Sequence, residues 1–154
     1  MIDRRTFFLT AMSLAAARPD ALLASGLPHV LVHKDPSCGC CQAWVEHLKA
    51  AGFSTTVREN AAMDAVKDRL SVPAELQSCH TAEVGGYVIE GHVPAAEIKR
   101  LLAEKPAAKG LAVPGMPAGS PGMETPGAPD VYSVVLFGAL PATAYARYRG
   151  TSRI

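Results

Sequence analysis

A chain of 154 residues has room for one hydrophobic core of ordinary size and too little for two full domains. Fifteen Lys and Arg stand against fourteen Asp and Glu, and only 19% of residues are charged, which excludes a nucleic-acid binder held by bulk electrostatics. The 49% hydrophobic fraction is inflated by Ala, and no run reaches the roughly 18 apolar residues of a membrane span, so the mature chain is expected to be soluble.

The first element is a targeting segment. Asp3-Arg4-Arg5-Thr6-Phe7-Phe8-Leu9 leads into a short apolar stretch and the small residues Ala15-Ala16-Ala17, the pattern of an export signal. Arg4-Arg5 followed one residue later by Phe7 resembles the twin-arginine motif, with an ordinary secretory signal as the alternative. Residues 1–25 are therefore expected to be an export signal, and residues 27–154 the mature domain, delivered to the bacterial periplasm. Cleavage after Ala17 and cleavage near Ala24 to Gly26 both fit. Loss of residues 1–25 leaves twelve basic against twelve acidic residues, so net charge implies no partner.

His29 to Lys34 alternates around a β-branched centre and predicts a strand ending at the turn Asp35-Pro36-Ser37. Cys41, Trp44, Val45 and Leu48 recur at helical spacing and predict a helix from Cys40 to Ala51, stopped by Gly52. Phe53, Thr55 and Val57 predict a second strand, and Asn60 caps a predicted helix over residues 61–70. After the break at Gly85-Gly86, Tyr87-Val88-Ile89 reads as strand, and Pro94 opens a helix with Ile98, Leu101 and Leu102 inward. Six Pro and five Gly between residues 106 and 130 argue against helix and central strand there, and a last strand is expected at Val131 to Phe137. The order predicts a single α/β domain of thioredoxin-like type, with a long Pro/Gly/Met-rich loop inserted before the last strand. Residues 139–154 read as an extension without an assigned role.

Three of the four cysteines fall within Cys38-Gly39-Cys40-Cys41, at the predicted junction of first strand and first helix. Cys38 and Cys41 make a C-x-x-C frame where a thioredoxin-like fold carries its dithiol, and the exposed amides of a helix N-terminus favour thiolate. Both disulfide exchange and metal binding use thiolate. Cys40 opens off-pathway disulfides during exchange, whereas a third thiol suits a soft metal. Cys79 falls on the segment facing the same helix turn, so four thiolates can converge. Such a set takes Cu(I), and Zn(II) less readily because no second spaced cysteine pair is present. Adjacent Cys40 and Cys41 are expected to diverge, a geometry that fits thiolates bridging several Cu(I) ions better than one ion. Two structural disulfides and a zinc-stabilised interaction module remain alternatives at this point.

Met116 and Met123, each in a Pro-Gly-Met triplet, lie on a segment unsuited to core and are candidate thioether ligands or a cover for the site. His80, beside Cys79, is a candidate ligand or hydrogen-bond donor. His29, His33, His47 and His92 read as ordinary strand or surface residues. No Ser-His-Asp or paired-carboxylate arrangement points to a catalytic centre, so a metal-binding protein is expected rather than an enzyme.

Taken together, residues 34–41 with Trp44 and His47, Leu76-Gln77-Ser78-Cys79-His80-Thr81, residues 86–94, residues 110–117 and residues 119–124 resemble the exported copper-resistance proteins of the CopG type. The resemblance runs from about His29 to Phe137. It implies a thioredoxin-like fold and a periplasmic role in copper resistance, with Cys38, Cys40, Cys41 and Cys79 as copper-thiolate ligands. The implied partners are copper ions and other periplasmic copper-handling proteins. The rival is a thiol-disulfide or copper-linked oxidoreductase using Cys38 and Cys41.

Overall fold

In the computed structural model the described residues are 26–138 and 141–154, so the expected export signal at residues 1–25 lies outside them. The alternating segment Val30–Lys34 forms β1, with Val30 and Val32 buried. Asp35 Oδ1 accepts the Ser37 amide at 2.8 Å, which tightens the following turn, and α1 runs Gly39–Ala50 from Cys38 as its N-cap residue. Cys41, Trp44, Val45 and Leu48 form its buried stripe, as the spacing predicts. Gly52, at a φ of 94°, turns the chain into β2, Thr55–Glu59, parallel to β1.

Asn60 Oδ1 accepts the Ala62 amide at 2.8 Å, and α2 spans Met63–Arg69, two residues later than the predicted start. A 3-10 turn at Ala74–Leu76 leads through Cys79 into β3, His80–Val84, antiparallel to β1. The pair Gly85-Gly86 returns the chain as β4, Tyr87–Glu90, followed by α3, Ala95–Glu104, on Pro94.

Two expectations are corrected beyond this point. Gly110–Ala112 forms a strand, β5, inside the sheet between β4 and β6, Val131–Phe137. The prolines of this region flank β5 at Pro106 and Pro114 rather than interrupting it, and Gly110 lies directly against the Val88 backbone. Nor is β6 the last strand: β7, Thr143–Arg149, and β8, Ser152–Arg153, extend the sheet. Ala146 and Tyr148 point into the core while Arg147 and Arg149 face out, so the tail is a half-buried strand.

The described residues thus form a mixed α/β domain with three α-helices and an eight-stranded sheet ordered β2-β1-β3-β4-β5-β6-β7-β8. Apolar residues of α1 and α3 share one core with Val32, Ala82, Ile89, Leu111 and Tyr148, while Val66 and Leu70 of α2 pack with Val88, Ala112 and Phe137. Alternate strand residues therefore serve opposite faces. Among the described residues no helix is long and apolar enough to cross a membrane.

Candidate metal centre

The cysteine cluster sits where β1 hands over to α1. Cys38 and Cys41, one helical turn apart with Cα atoms separated by 5.5 Å, are joined by a disulfide. Cys40 and Cys79 are free thiols. The start of β3 carries Cys79 to the same place, and the four sulfurs lie within 4.8 Å of one another. Cys40 Sγ is 3.6 Å from Cys38 Sγ and within 4.8 Å of Cys41 Sγ, so the expected divergence of Cys40 from Cys41 is corrected: within the first turn of α1 both sulfurs stay beside that of Cys38 at the N-cap. Cys41 is buried beneath, while Cys38, Cys40 and Cys79 are half-buried, leaving the cluster reachable from one side.

Burial, and then the neighbouring Cys40, push the Cys79 thiol up to about 12. That shift keeps the Cys79 thiol protonated at neutral pH, so a cation held by its sulfur would have to displace the proton.

Two imidazoles flank Cys79. His80 Nδ1 lies 3.2 Å and His92 Nε2 3.1 Å from its sulfur, and the three donor atoms are mutually within 4.8 Å. Both rings are fully buried. Burial, joined for His80 by His92 and Lys67, holds both below the ordinary histidine range, so each ring is neutral and keeps a lone pair. His92 Nδ1 donates to the Pro121 carbonyl at 2.8 Å, which leaves Nε2 as the free lone pair facing sulfur. The His80 ring lies against Trp44 at 4.3 Å and edge-on to His92 at 4.9 Å. Trp44 is itself fixed by its Nε1 donating to the Val93 carbonyl at 2.9 Å.

His92 is the residue that the sequence reading missed, since it is neither surface nor ordinary strand. His29 and His33 are placed as expected, whereas His47 is half-buried on α1 rather than in a strand or at the surface. His29 meets Ser54 and Thr56 at the surface, and His33 pairs with Glu83 at 3.0 Å. His47 accepts the Ala95 amide at 3.0 Å.

The Met-rich loop closes over the first turn of α1. At Gly122, with φ +83°, an added Cβ would stand 2.6 Å from the Trp44 amide nitrogen and 3.0 Å from the Cys40 carbonyl oxygen. The root of the loop is tied to the Cys79 segment, because Gly115 N donates to Gln77 O at 3.1 Å and Ser78 Oγ donates to Gly115 O. Met116 is 55% exposed, whereas Met123 is half-buried just beyond Pro121, so the two thioethers are placed differently.

Residues 76–123, a span that includes Cys79, His80, His92 and both loop methionines, match the family described as "Protein of unknown function, DUF411". No curated protein matches the chain. A solved structure named "Copper resistance protein copG- Form 1" matches at 47% identity with a TM-score of 0.74, covering 80% of this chain and 99% of that one. A second, "Copper resistance protein copG- Form 2", matches at the same identity and TM-score over 79% of this chain and 98% of that one. At that identity over nearly the whole of a solved relative, the chain belongs to the CopG family of copper resistance proteins.

Proposed function

We propose that this chain is a periplasmic Cu(I)-binding protein of copper resistance and homeostasis, holding copper through the thiolates of Cys38, Cys40, Cys41 and Cys79. The observation that carries the reading is the convergence of four sulfurs within 4.8 Å, with the imidazole nitrogens of His80 and His92 facing the fourth. Thiolate sulfur is the soft donor that selects Cu(I), and imidazole is a good copper ligand. Four sulfurs with two adjoining nitrogens exceed the needs of one ion, which favours a polynuclear site with bridging thiolates. The turn at Gly122 shields that cluster, and Met123 is the better placed of the two candidate thioethers. The export pattern of residues 1–25 supports the periplasm as the destination, and other copper-handling proteins there as donors or acceptors.

The strand order β2-β1-β3-β4, with β1 parallel to β2 and antiparallel to β3, together with α1 after β1 and α3 after β4, supports a thioredoxin-like core extended by β5 to β8. In such a core the loaded form requires reduction first. A dithiol reductant would pass two electrons and two protons to the Cys38–Cys41 disulfide, itself closing to a disulfide, and the two thiols so formed would release their protons as copper binds.

The same disulfide favours a second reading, a thiol-disulfide or copper-linked oxidoreductase. In its copper-linked form two Cu(II) ions would take two electrons from the reduced Cys38–Cys41 dithiol, giving two Cu(I) ions, the disulfide and two protons.

The deciding experiment reduces the mature protein anaerobically, offers competing Cu(I) and Zn(II), desalts it, and measures metal content and free thiols. More than one copper per chain with all four thiols masked is the expected result. Little metal, with Cys38 and Cys41 closing readily in air, would overturn the copper-binding reading in favour of the oxidoreductase.

A further inference from the structure

An ammonium and a carboxylate are buried behind Cys79, and the copper chemistry makes no use of either. Glu90, at the end of β4, is wholly inaccessible, and Lys67, on α2, is 3% exposed. Lys67 Nζ lies 2.5 Å from Glu90 Oε1 and 3.0 Å from Thr81 Oγ1. The same Oε1 accepts the Ser78 amide at 2.7 Å, and Oε2 accepts the Thr81 hydroxyl at 2.6 Å. One carboxylate therefore grips the residue before Cys79 and the residue two after it. Between these points Gly91 N donates to His80 O at 2.9 Å.

A buried ion pair is a poor device for stability alone, because apolar residues of like shape often do as well without desolvating two charges. What it supplies here is a fixed set of acceptors at defined positions. The Ser78 segment so held also anchors Gly115, at the root of the loop over the site.

We propose that the Lys67–Glu90 pair is the positioning device of the metal centre: Glu90, held by Lys67, clamps Ser78 and Thr81 and thereby sets the Cys79 sulfur opposite the Cys38–Cys41 turn. The inference rests on the copper-thiolate reading and names the residues that give that site its shape. Neither side chain belongs to the proposed ligand set.

The test is a double-mutant cycle on the reduced full-length mature protein. The variant is Lys67→Met with Glu90→Gln, which removes both charges and leaves no unpaired ion buried. Thr81→Val, which removes one hydroxyl and keeps the side-chain shape, serves in its place if the charge variant does not fold. Each is made with Cys79 intact and in a Cys79→Ser background, and Cu(I) affinity is read by competition with a chromophoric chelator. With Cys79 present the variant is expected to lose about tenfold in affinity, the size typical of lost support to a metal ligand, and in the Cys79→Ser background to change less than about twofold.

A second readout needs no copper. Alkylation of Cys79 by iodoacetamide, resolved by peptide mass analysis, is expected to rise about fivefold while that of Cys40 is unchanged. An equal loss of affinity in both backgrounds, or an unchanged affinity in a folded variant, overturns the inference. If the parent protein takes up no Cu(I), the copper reading itself fails, and the alkylation rates alone decide whether the pair positions Cys79.

Discussion

His92 Nε2 stands 3.1 Å from Cys79 Sγ while the Nδ1 of the same ring donates to the Pro121 carbonyl at 2.8 Å. A ring anchored at one nitrogen and presenting the other to a thiol has its tautomer and its direction set before any ligand arrives, which is how metal-ligating histidines are ordinarily supported. His92→Gln is therefore expected to weaken Cu(I) binding by about tenfold while the chain stays folded. Competition against a chromophoric Cu(I) chelator measures it, and an affinity equal to that of the parent would remove His92 from the ligand set.

The hairpin register places His92 opposite Cys79. Gly85-Gly86 forms the two-residue turn of the β3–β4 hairpin, and the register runs Val84 with Tyr87 out to Thr81 with Glu90. Two further steps bring Cys79 opposite His92. Counting outward from the glycine pair finds the histidine, whereas treating His92 alone gives a surface residue. The helix α1 was legible because its buried stripe recurs every three or four residues and nothing in it conflicts with helix. β5 was not legible, because three residues are too few for a periodic signal and prolines crowd both sides. In β7 the alternation of Ala146 and Tyr148 with Arg147 and Arg149 is a strand signal, but one confined to four residues of a tail beyond the expected last strand. The convergence of Cys79 with the other three cysteines agrees with its expected place on the segment facing the first turn of α1, while the Lys67–Glu90 pair behind it has no sequence signal. Its two members are 23 residues apart, and each looks like an ordinary surface charge.

Gly122 sets how closely the loop lies on the site. Its φ of +83° disfavours any residue with a Cβ, and the Cβ would stand 2.6 Å from the Trp44 amide nitrogen, which is backbone and cannot swing away. Gly122→Ala is expected to destabilise the protein by about 1–3 kcal/mol and to lift the loop from α1. Chemical denaturation gives the first quantity. Faster alkylation of Cys40, whose carbonyl lies 3.0 Å from the same added atom, reports the second. Unchanged stability with unchanged alkylation would mean that the loop does not cover the cluster.

Acid should loosen the reduced, copper-free protein in a defined window. His47 accepts the Ala95 amide, a bond open only to the neutral ring, and burial lowers its pKa. His80 and His92 are lowered by burial as well. In the unfolded chain such rings titrate near 6.5, so between that value and their lower folded values the unfolded state carries more protons. Stability from these groups is complete above about pH 6.5 and is lost as pH falls below it. The melting temperature is expected to be flat near pH 7.5 and to drop toward pH 5.5, and His47→Gln should remove about one proton's share of the slope. A melting temperature that rises on acidification across this window would contradict neutral, buried rings.

Cys40 separates the two functional readings most directly. Its sulfur lies 3.6 Å from Cys38 Sγ, within reach of the Cys38–Cys41 disulfide. As a thiolate it attacks Cys38, forming a Cys38–Cys40 bond and releasing Cys41 as thiolate, so a protein built for clean exchange gains nothing from it. A protein built to bridge copper ions gains a fourth sulfur. Cys40→Ser is therefore expected to leave the Cys38–Cys41 disulfide able to form and to be reduced, while the copper held by the reduced protein falls below that of the parent. Metal analysis after anaerobic loading, alongside an insulin-reduction assay, reads both effects. Parental copper content in the variant would exclude Cys40 as a ligand. Insulin reduction by parent and variant alike, with copper content unaffected, would favour the oxidoreductase and leave Cys40 as a bystander to the dithiol chemistry.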